Sequence, residues 1–156
     1  MGEYIMGKSK VLMLIGGILG IAGGAMLIIA SIGFLSQLPA VIVFMAGEGA
    51  TLGDYGISES LIHGIMYSTI AIGSGAILMG VLLIMRKKIA AYILLVIAGY
   101  VFVGNLVNLY DEFLTVGSGW VIIDVYLVQT LLNFGDPIIL IAGGVLGLIG
   151  VLQHDD

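Results

Sequence analysis

Long apolar stretches alternate with short charged segments along this chain. The four longest stretches without formal charge lie at 11–47, 60–85, 89–110 and 137–154. A helix that crosses a bilayer needs about 20 mostly apolar residues, within a range of about 17–25. The pattern therefore predicts four transmembrane helices, near 11–36, 62–85, 89–110 and 137–153.

The composition supports a membrane location. Apolar residues make up 60% of the 156 residues and charged residues 10%, whereas an average soluble domain carries about 25% charged residues. A soluble fold of this size leaves much of its surface in water and could not cover so many apolar side chains. We expect an all-α membrane protein whose residues 1–156 form one domain, an antiparallel four-helix transmembrane bundle.

The basic residues give the orientation of the bundle. Only five are present: Lys8, Lys10, Arg86, Lys87 and Lys88. They precede the first predicted helix and fill the link between the second and third helices. In a four-span topology these two positions lie on the same side of the membrane. The positive-inside rule makes that side cytoplasmic. We predict a multi-pass protein of the cell membrane with cytoplasmic N- and C-termini and two acidic outer loops, near 37–61 and 111–136.

Both predicted outer loops contain apolar runs, at 39–45 and 120–128. Their β-branched and aromatic residues favour a small strand element. The alternative is an interfacial helix that places aromatic rings at headgroup depth, and it is slightly favoured for 120–134. Asp136 is expected to cap the fourth helix, with Pro137 at its first helical position.

Small residues recur at four-residue spacing within the predicted helices, so that they share a helix face. These helix-packing candidates are Gly16, Gly20, Gly24, Ala76, Gly80, Gly143 and Gly147. Such faces let two backbones approach closely in lipid. Packing within the bundle is the favoured interpretation, and the alternative is that one face, on the first helix, contacts another subunit.

The polar candidates inside the predicted helices are few. Tyr100, Asn105 and Asn108 could form an outward-facing polar pocket, although an interhelical hydrogen bond or an interface anchor is the favoured role for the asparagines. Ser31, Ser68 and Ser74 are expected to donate hydrogen bonds to carbonyls of their own helices.

The sequence offers no catalytic residue, metal site or cofactor motif. It has no cysteine, and the nucleotide-binding and hydrolase motifs are missing. The basic cluster at 86–88 suits anionic lipid headgroups rather than nucleic acid. We therefore predict a non-enzymatic structural, accessory or self-assembling membrane component that contacts the lipid bilayer and forms a homo-oligomer or joins a larger membrane complex. The alternative is a small oligomeric transporter or channel for an ion or small solute.

Overall fold

The structure is a computed structural model that describes residues 2–49, 51–55, 58–115 and 135–153. This part of the chain is helical and contains no strand. The α-helices are α1 (Gly2–Gly47), α2 (Glu59–Ile84), α3 (Ile89–Thr115) and α4 (Gly135–Leu152), and a short 3-10 helix lies at Leu52–Tyr55. Each α-helix contains a segment that is long and apolar enough to cross a membrane. The all-helical prediction is confirmed for the described residues.

The main difference from the sequence prediction is the length of α1. The helix continues through Pro39 to Gly47, so residues 39–45, for which strand and helix were both considered, are helical. Proline lacks the N–H that would bond to the carbonyl four residues earlier, but no charged residue interrupts the chain on either side of it between Lys10 and Glu48. The second apolar run, 120–128, lies outside the described residues.

A tight turn joins α2 to α3. The N–H of Lys87 donates to the Leu82 carbonyl at 2.9 Å, and the N–H of Arg86 donates to the Leu83 carbonyl at 2.9 Å. This bond pair closes the end of α2 as a Schellman motif, with Arg86 in the left-handed conformation at φ 64°. Two of the three adjacent basic residues thus serve as the helix stop.

The helix α1 packs against both α2 and α4, and α3 packs against α4 and, less extensively, α2. Gly17 of α1 lies against Gly80 of α2, and Gly24 lies against Gly73. Since the residue numbers rise along α1 while they fall along α2, these two helices run in opposite directions.

The contact between α1 and α4 follows the same rule. Gly16 lies against Gly143 and Gly147, and Gly23 lies against Leu140. Near the start of α1, the Ser9 hydroxyl donates to the Gly150 carbonyl at 2.6 Å. The N-terminal part of α1 is therefore beside the C-terminal end of α4.

Glycine backbones of different helices are in direct contact at these positions. A Cβ built on Gly24 would lie 2.5 Å from the Gly73 carbonyl oxygen, and one on Gly80 would lie 2.6 Å from the Gly17 carbonyl oxygen. A Cβ on Gly16 would lie 2.6 Å from the Gly143 carbonyl oxygen. No side chain can be accommodated there, so dispersion and weak Cα–H···O contacts between backbones hold the helices together.

Larger side chains fill the space between the glycine contacts. Met13, Leu83, Leu94 and Leu140 are fully buried, as is Ala76. Leu83 lies against Gly147, and Leu94 lies against Gly20. The centre of the structure is thus occupied by apolar side chains and backbone.

Gly24→Ala tests the backbone contact between α1 and α2. The added methyl group must displace the Gly73 backbone, and overpacking of this kind costs about 1–3 kcal/mol. We expect a clearly lower melting temperature for the protein in detergent.

The matched control is Gly33→Ala on the same helix, where nothing lies within 4 Å of the added Cβ. This change should be neutral or stabilising, because alanine favours helix by about 1 kcal/mol over glycine. Equal melting temperatures for the two variants would contradict the close approach at Gly24.

Candidate functional site

A cleft of about 650 Å³ lies between the N-terminal half of α2 and Tyr100 of α3. Ligand pockets usually measure about 300–1,000 Å³. Five residues that line the cleft carry hydroxyl groups: Ser58, Ser60, Ser68, Thr69 and Tyr100. The remaining lining residues are Leu61, Gly64, Ile65 and Ile72. The described lining thus combines hydroxyl groups with apolar surface and contains no formally charged side chain.

The helical period of α2 places these residues on one face. Ser60, Gly64, Ser68 and Ile72 are four residues apart, and side chains at that spacing lie above one another along a helix. Gly64 has nothing within 4 Å of its missing Cβ, so it leaves the middle of the cleft open. Ser58 caps the helix, since its side-chain oxygen accepts a hydrogen bond from the Leu61 N–H at 3.1 Å.

The hydroxyl groups differ in what they can still bond. Ser68 donates to the Gly64 carbonyl at 2.8 Å, and Thr69 donates to the Ile65 carbonyl at 3.0 Å. Their protons are therefore used, while their oxygens can still accept. The hydroxyls of Ser60 and Tyr100 have no hydrogen-bond partner among the described residues, so each can donate and accept.

Two of the three predicted pocket residues, Tyr100 and Asn105, have side chains that the structure describes, and only one of them lies at the cleft. Tyr100 lines the cleft. Asn105 is half-buried, already has an interaction partner and does not line the cleft. The side chain of Asn108 lies outside the described part of the chain. The α2 side of the cleft was not predicted from the sequence. The small residues at 60, 64 and 68 recur every four residues, and this spacing could have indicated a shared helix face.

The expected bonds of three serines to their own helices are confirmed. The Ser31 hydroxyl donates to the Leu27 carbonyl at 2.8 Å, and the Ser74 hydroxyl donates to the Ile70 carbonyl at 2.8 Å. The Ser68 hydroxyl donates to the Gly64 carbonyl, as described above. The predicted helix-packing positions Gly16, Gly20, Gly24, Gly80, Gly143 and Gly147 all lie against atoms of a neighbouring helix.

A second polar feature lies in the 3-10 segment. The Asp54 carboxylate accepts hydrogen bonds from the Thr51 N–H at 2.6 Å and from the Thr51 hydroxyl at 2.8 Å. The hydroxyl bond and then the backbone bond lower the pKa of Asp54, and slight desolvation opposes them. No three His, Asp or Glu side chains in the described residues are grouped so that they could hold a metal ion.

Comparisons of the chain with protein-family models, curated proteins and solved structures gave no match. Its four long apolar helices are compatible with a multi-pass membrane protein. Within that class, two features of the structure bear on function: the backbone contacts of α1, and the cleft between α2 and α3.

The Thr51–Asp54 turn should depend on pH. The hydrogen bonds from Thr51 favour the charged carboxylate of Asp54, so their contribution to the stability of the turn is present above the ordinary aspartate pKa of 3.8. This contribution is lost as the pH falls through the lowered pKa of Asp54. The amide proton shift of Thr51, followed by NMR, should titrate with a midpoint below 3.8. Asp54→Asn should abolish this titration, and a midpoint above 3.8 would contradict the hydrogen-bonded turn.

Proposed function

We propose that this protein is a non-catalytic membrane component that works by assembly, with copies of itself or with other membrane proteins. We further propose that its four α-helices form an antiparallel transmembrane bundle with cytoplasmic termini. The support comes from the grouping of the charges, from the filled interior and, above all, from the length of α1.

The sidedness is supported by the grouping of the basic residues. The bond from Ser9 to Gly150 brings the start of α1 next to the end of α4. The contact of Gly17 with Ile84 brings the same part of α1 near the turn between α2 and α3. Lys8 and Lys10 and the basic cluster at 86–88 therefore lie toward one end of the four helices, as the positive-inside rule requires for a cytoplasmic face.

The observation that carries the proposal is that α1 is longer than a bilayer is thick. The part of α1 that follows Lys10 ends at Gly47 and extends over about 56 Å at 1.5 Å per residue. At a tilt of about 20°, the average for transmembrane helices, this part rises about 52 Å. A bilayer measures about 40–45 Å with its headgroups. With Lys10 at the cytoplasmic face, the C-terminal end of α1 extends beyond the outer headgroups at this tilt.

The end of α1 that lies beyond the headgroups, near residues 43–47, is the α1 extension, and its surface is apolar and exposed. The side chains of Val43 and Phe44 are 72% and 70% exposed. Continuous apolar surface outside hydrocarbon is unfavourable and marks an interaction site. No formal charge lies between Lys10 and Glu48, so two copies of this segment can meet without electrostatic repulsion. A second copy of the chain is the partner that we propose.

The cleft between α2 and α3 is the one observation that favours the alternative, a small oligomeric transporter or channel. Its hydroxyl groups could bind a small solute. However, Met13, Leu83, Leu94 and Leu140 are fully buried and occupy the space between the helices. A route through the middle of one chain would have to displace them, so the structural role is better supported.

Photo-crosslinking tests the proposed assembly. Benzoylphenylalanine is introduced at position 43, in the extension, or at position 96 on α3 as the matched control. Val43 and Val96 are equally exposed, at 72% each, but position 96 lies within the predicted span 89–110. Illumination of the purified protein in liposomes should give a covalent dimer from position 43 and lipid adducts from position 96.

The result at position 43 decides the proposal. Lipid adducts alone at both positions would mean that the α1 extension lies in the bilayer, which would overturn the argument from helix length. A crosslink within a single chain would show that the extension is covered by its own chain, and would remove the support for self-assembly.

A further inference from the structure

The contact between α1 and α2 follows a repeat of seven residues, which leads to two lysines. Its glycines pair as Gly24 with Gly73 and as Gly17 with Gly80. Seven residues are close to two full turns of a helix, so residues at this spacing share a face. One further step along this line reaches Lys10 on α1 and Lys87 in the turn after α2.

Lys10 lies at the level of that turn. It precedes Gly17 by about 10 Å along α1, and the turn begins at Met85, about 8 Å after Gly80, at 1.5 Å per residue. The N–H of Lys87 bonds back to a carbonyl of α2, which holds Lys87 against the end of that helix. The two lysine side chains can therefore reach one small ligand.

The α4 side of α1 shows that the helix keeps this alignment toward its N-terminal part. Gly16 lies against Gly143, and seven residues earlier the Ser9 hydroxyl still bonds to α4. Lys10 is half-buried, as expected for a residue that faces a neighbouring helix, whereas Lys8 is exposed. The structure thus adds a basic residue of α1 to the basic cluster at 86–88.

These cations lack a counterion within the described part of the chain. The side chains of Lys10, Arg86 and Lys87 form no ion pair or hydrogen bond there. The carboxylates whose side chains are described lie at or beyond the opposite ends of the helices, at Glu48, Asp54, Glu59 and Asp136. Like charges at close range repel one another, so an anion between them would stabilise the arrangement.

Arg86 holds a position that glycine usually occupies. Its φ of 64° is left-handed, at the residue after the helix cap of α2, where a Cβ is unfavourable. Residues held in such conformations cluster at functional sites. The guanidinium group presents its N–H donors in a planar fork that matches two oxygens of a phosphate. The side chain is exposed and can therefore reach a ligand.

The apolar side chains next to the cations indicate that the anion belongs to a lipid. Leu14, one turn from Lys10 toward the bilayer, is 45% exposed, and Met85, next to Arg86, is 62% exposed. A soluble anion would leave both side chains in contact with water, which is unfavourable. The acyl chains of a phospholipid cover them, and the cytoplasmic leaflet carries anionic phospholipids.

We propose that Lys10, Arg86 and Lys87 form a binding site for the phosphate of an anionic phospholipid of the cytoplasmic leaflet. The phosphate oxygens accept hydrogen bonds from the three side chains and offset the repulsion between them, while the acyl chains lie along Leu14 and Met85. The site rests on the transmembrane bundle of the proposed function. It is independent of self-assembly, because the α1 extension lies at the other end of α1.

The test titrates dioleoylphosphatidylglycerol into the full-length protein in an uncharged detergent, and native mass spectrometry gives the apparent Kd. Lys10→Gln with Lys87→Gln removes the two facing cations. This variant should bind the lipid about thirtyfold more weakly, the loss expected for two basic residues at a membrane surface. Its melting temperature without lipid should not fall, because the change also removes the repulsion between the lysines.

The matched control is Lys8→Gln with Lys88→Gln, which removes the same charge from the same end of the helices. Both lysines are exposed and have other interactions, so lipid binding should remain close to that of the unmodified chain. Equal loss in the two double variants would show diffuse attraction by net charge and would overturn the proposal.

Arg86→Gly tests the third residue without disturbing the turn, since glycine suits a φ of 64°. It should raise the melting temperature without lipid and weaken lipid binding several-fold. Unchanged lipid binding in this variant would contradict the proposed site.

Two further outcomes would also overturn the proposal. Displacement of the lipid by an excess of inorganic phosphate would assign the site to a soluble anion. A lower melting temperature of the Lys10→Gln, Lys87→Gln variant without lipid would show that these lysines are neutralised within the chain, for which Asp155 and Asp156, outside the described residues, are the candidates. None of these changes touches position 43, so a failure here leaves the crosslinking result intact.

Discussion

The close approach of the α1 backbone to α2 and α4 is the contact on which the rest of the structure depends. Lipid tails are as apolar as leucine, so burying apolar side chains gives little drive for helices to associate in a bilayer. Close contact must supply the attraction, and dispersion falls steeply with distance. Gly16 and Gly17 are adjacent in sequence but face different helices, so α1 presents a glycine surface to each neighbour.

This arrangement explains the position of the cleft. With α2 and α4 held on α1, α3 packs mainly against α4 and contacts α2 less extensively. The hydroxyl-lined opening forms between the N-terminal half of α2 and α3, where this less extensive contact leaves space. The same arrangement leaves Val43 and Phe44 exposed, because α1 continues past the contacts that its glycines make. Helix packing thus determines where both the cleft and the exposed end of α1 lie.

The helices could be predicted from the charge pattern, because a charged residue inside hydrocarbon is costly and marks the limits of a span. The length of α1 could not be predicted in this way. A proline in a sequence commonly indicates the end of a helix, whereas the long helix α1 tolerates the one hydrogen bond that Pro39 removes. Tyr100 was predicted from its polarity in an apolar stretch. The serines of α2 were not assigned to the site. Ser68 was expected only to bond to its own helix, and the helix face that it shares with Ser60 was not considered.

The central claim is that the glycine contacts form within one chain. It is tested most directly by NMR contacts between the Hα protons of Gly24 and Gly73, measured on labelled protein diluted into an excess of unlabelled chain. We expect a strong contact whose intensity per labelled chain is unchanged by dilution. A contact that fades on dilution, or that is never seen, would show that these glycines do not pack α1 against α2 of the same molecule.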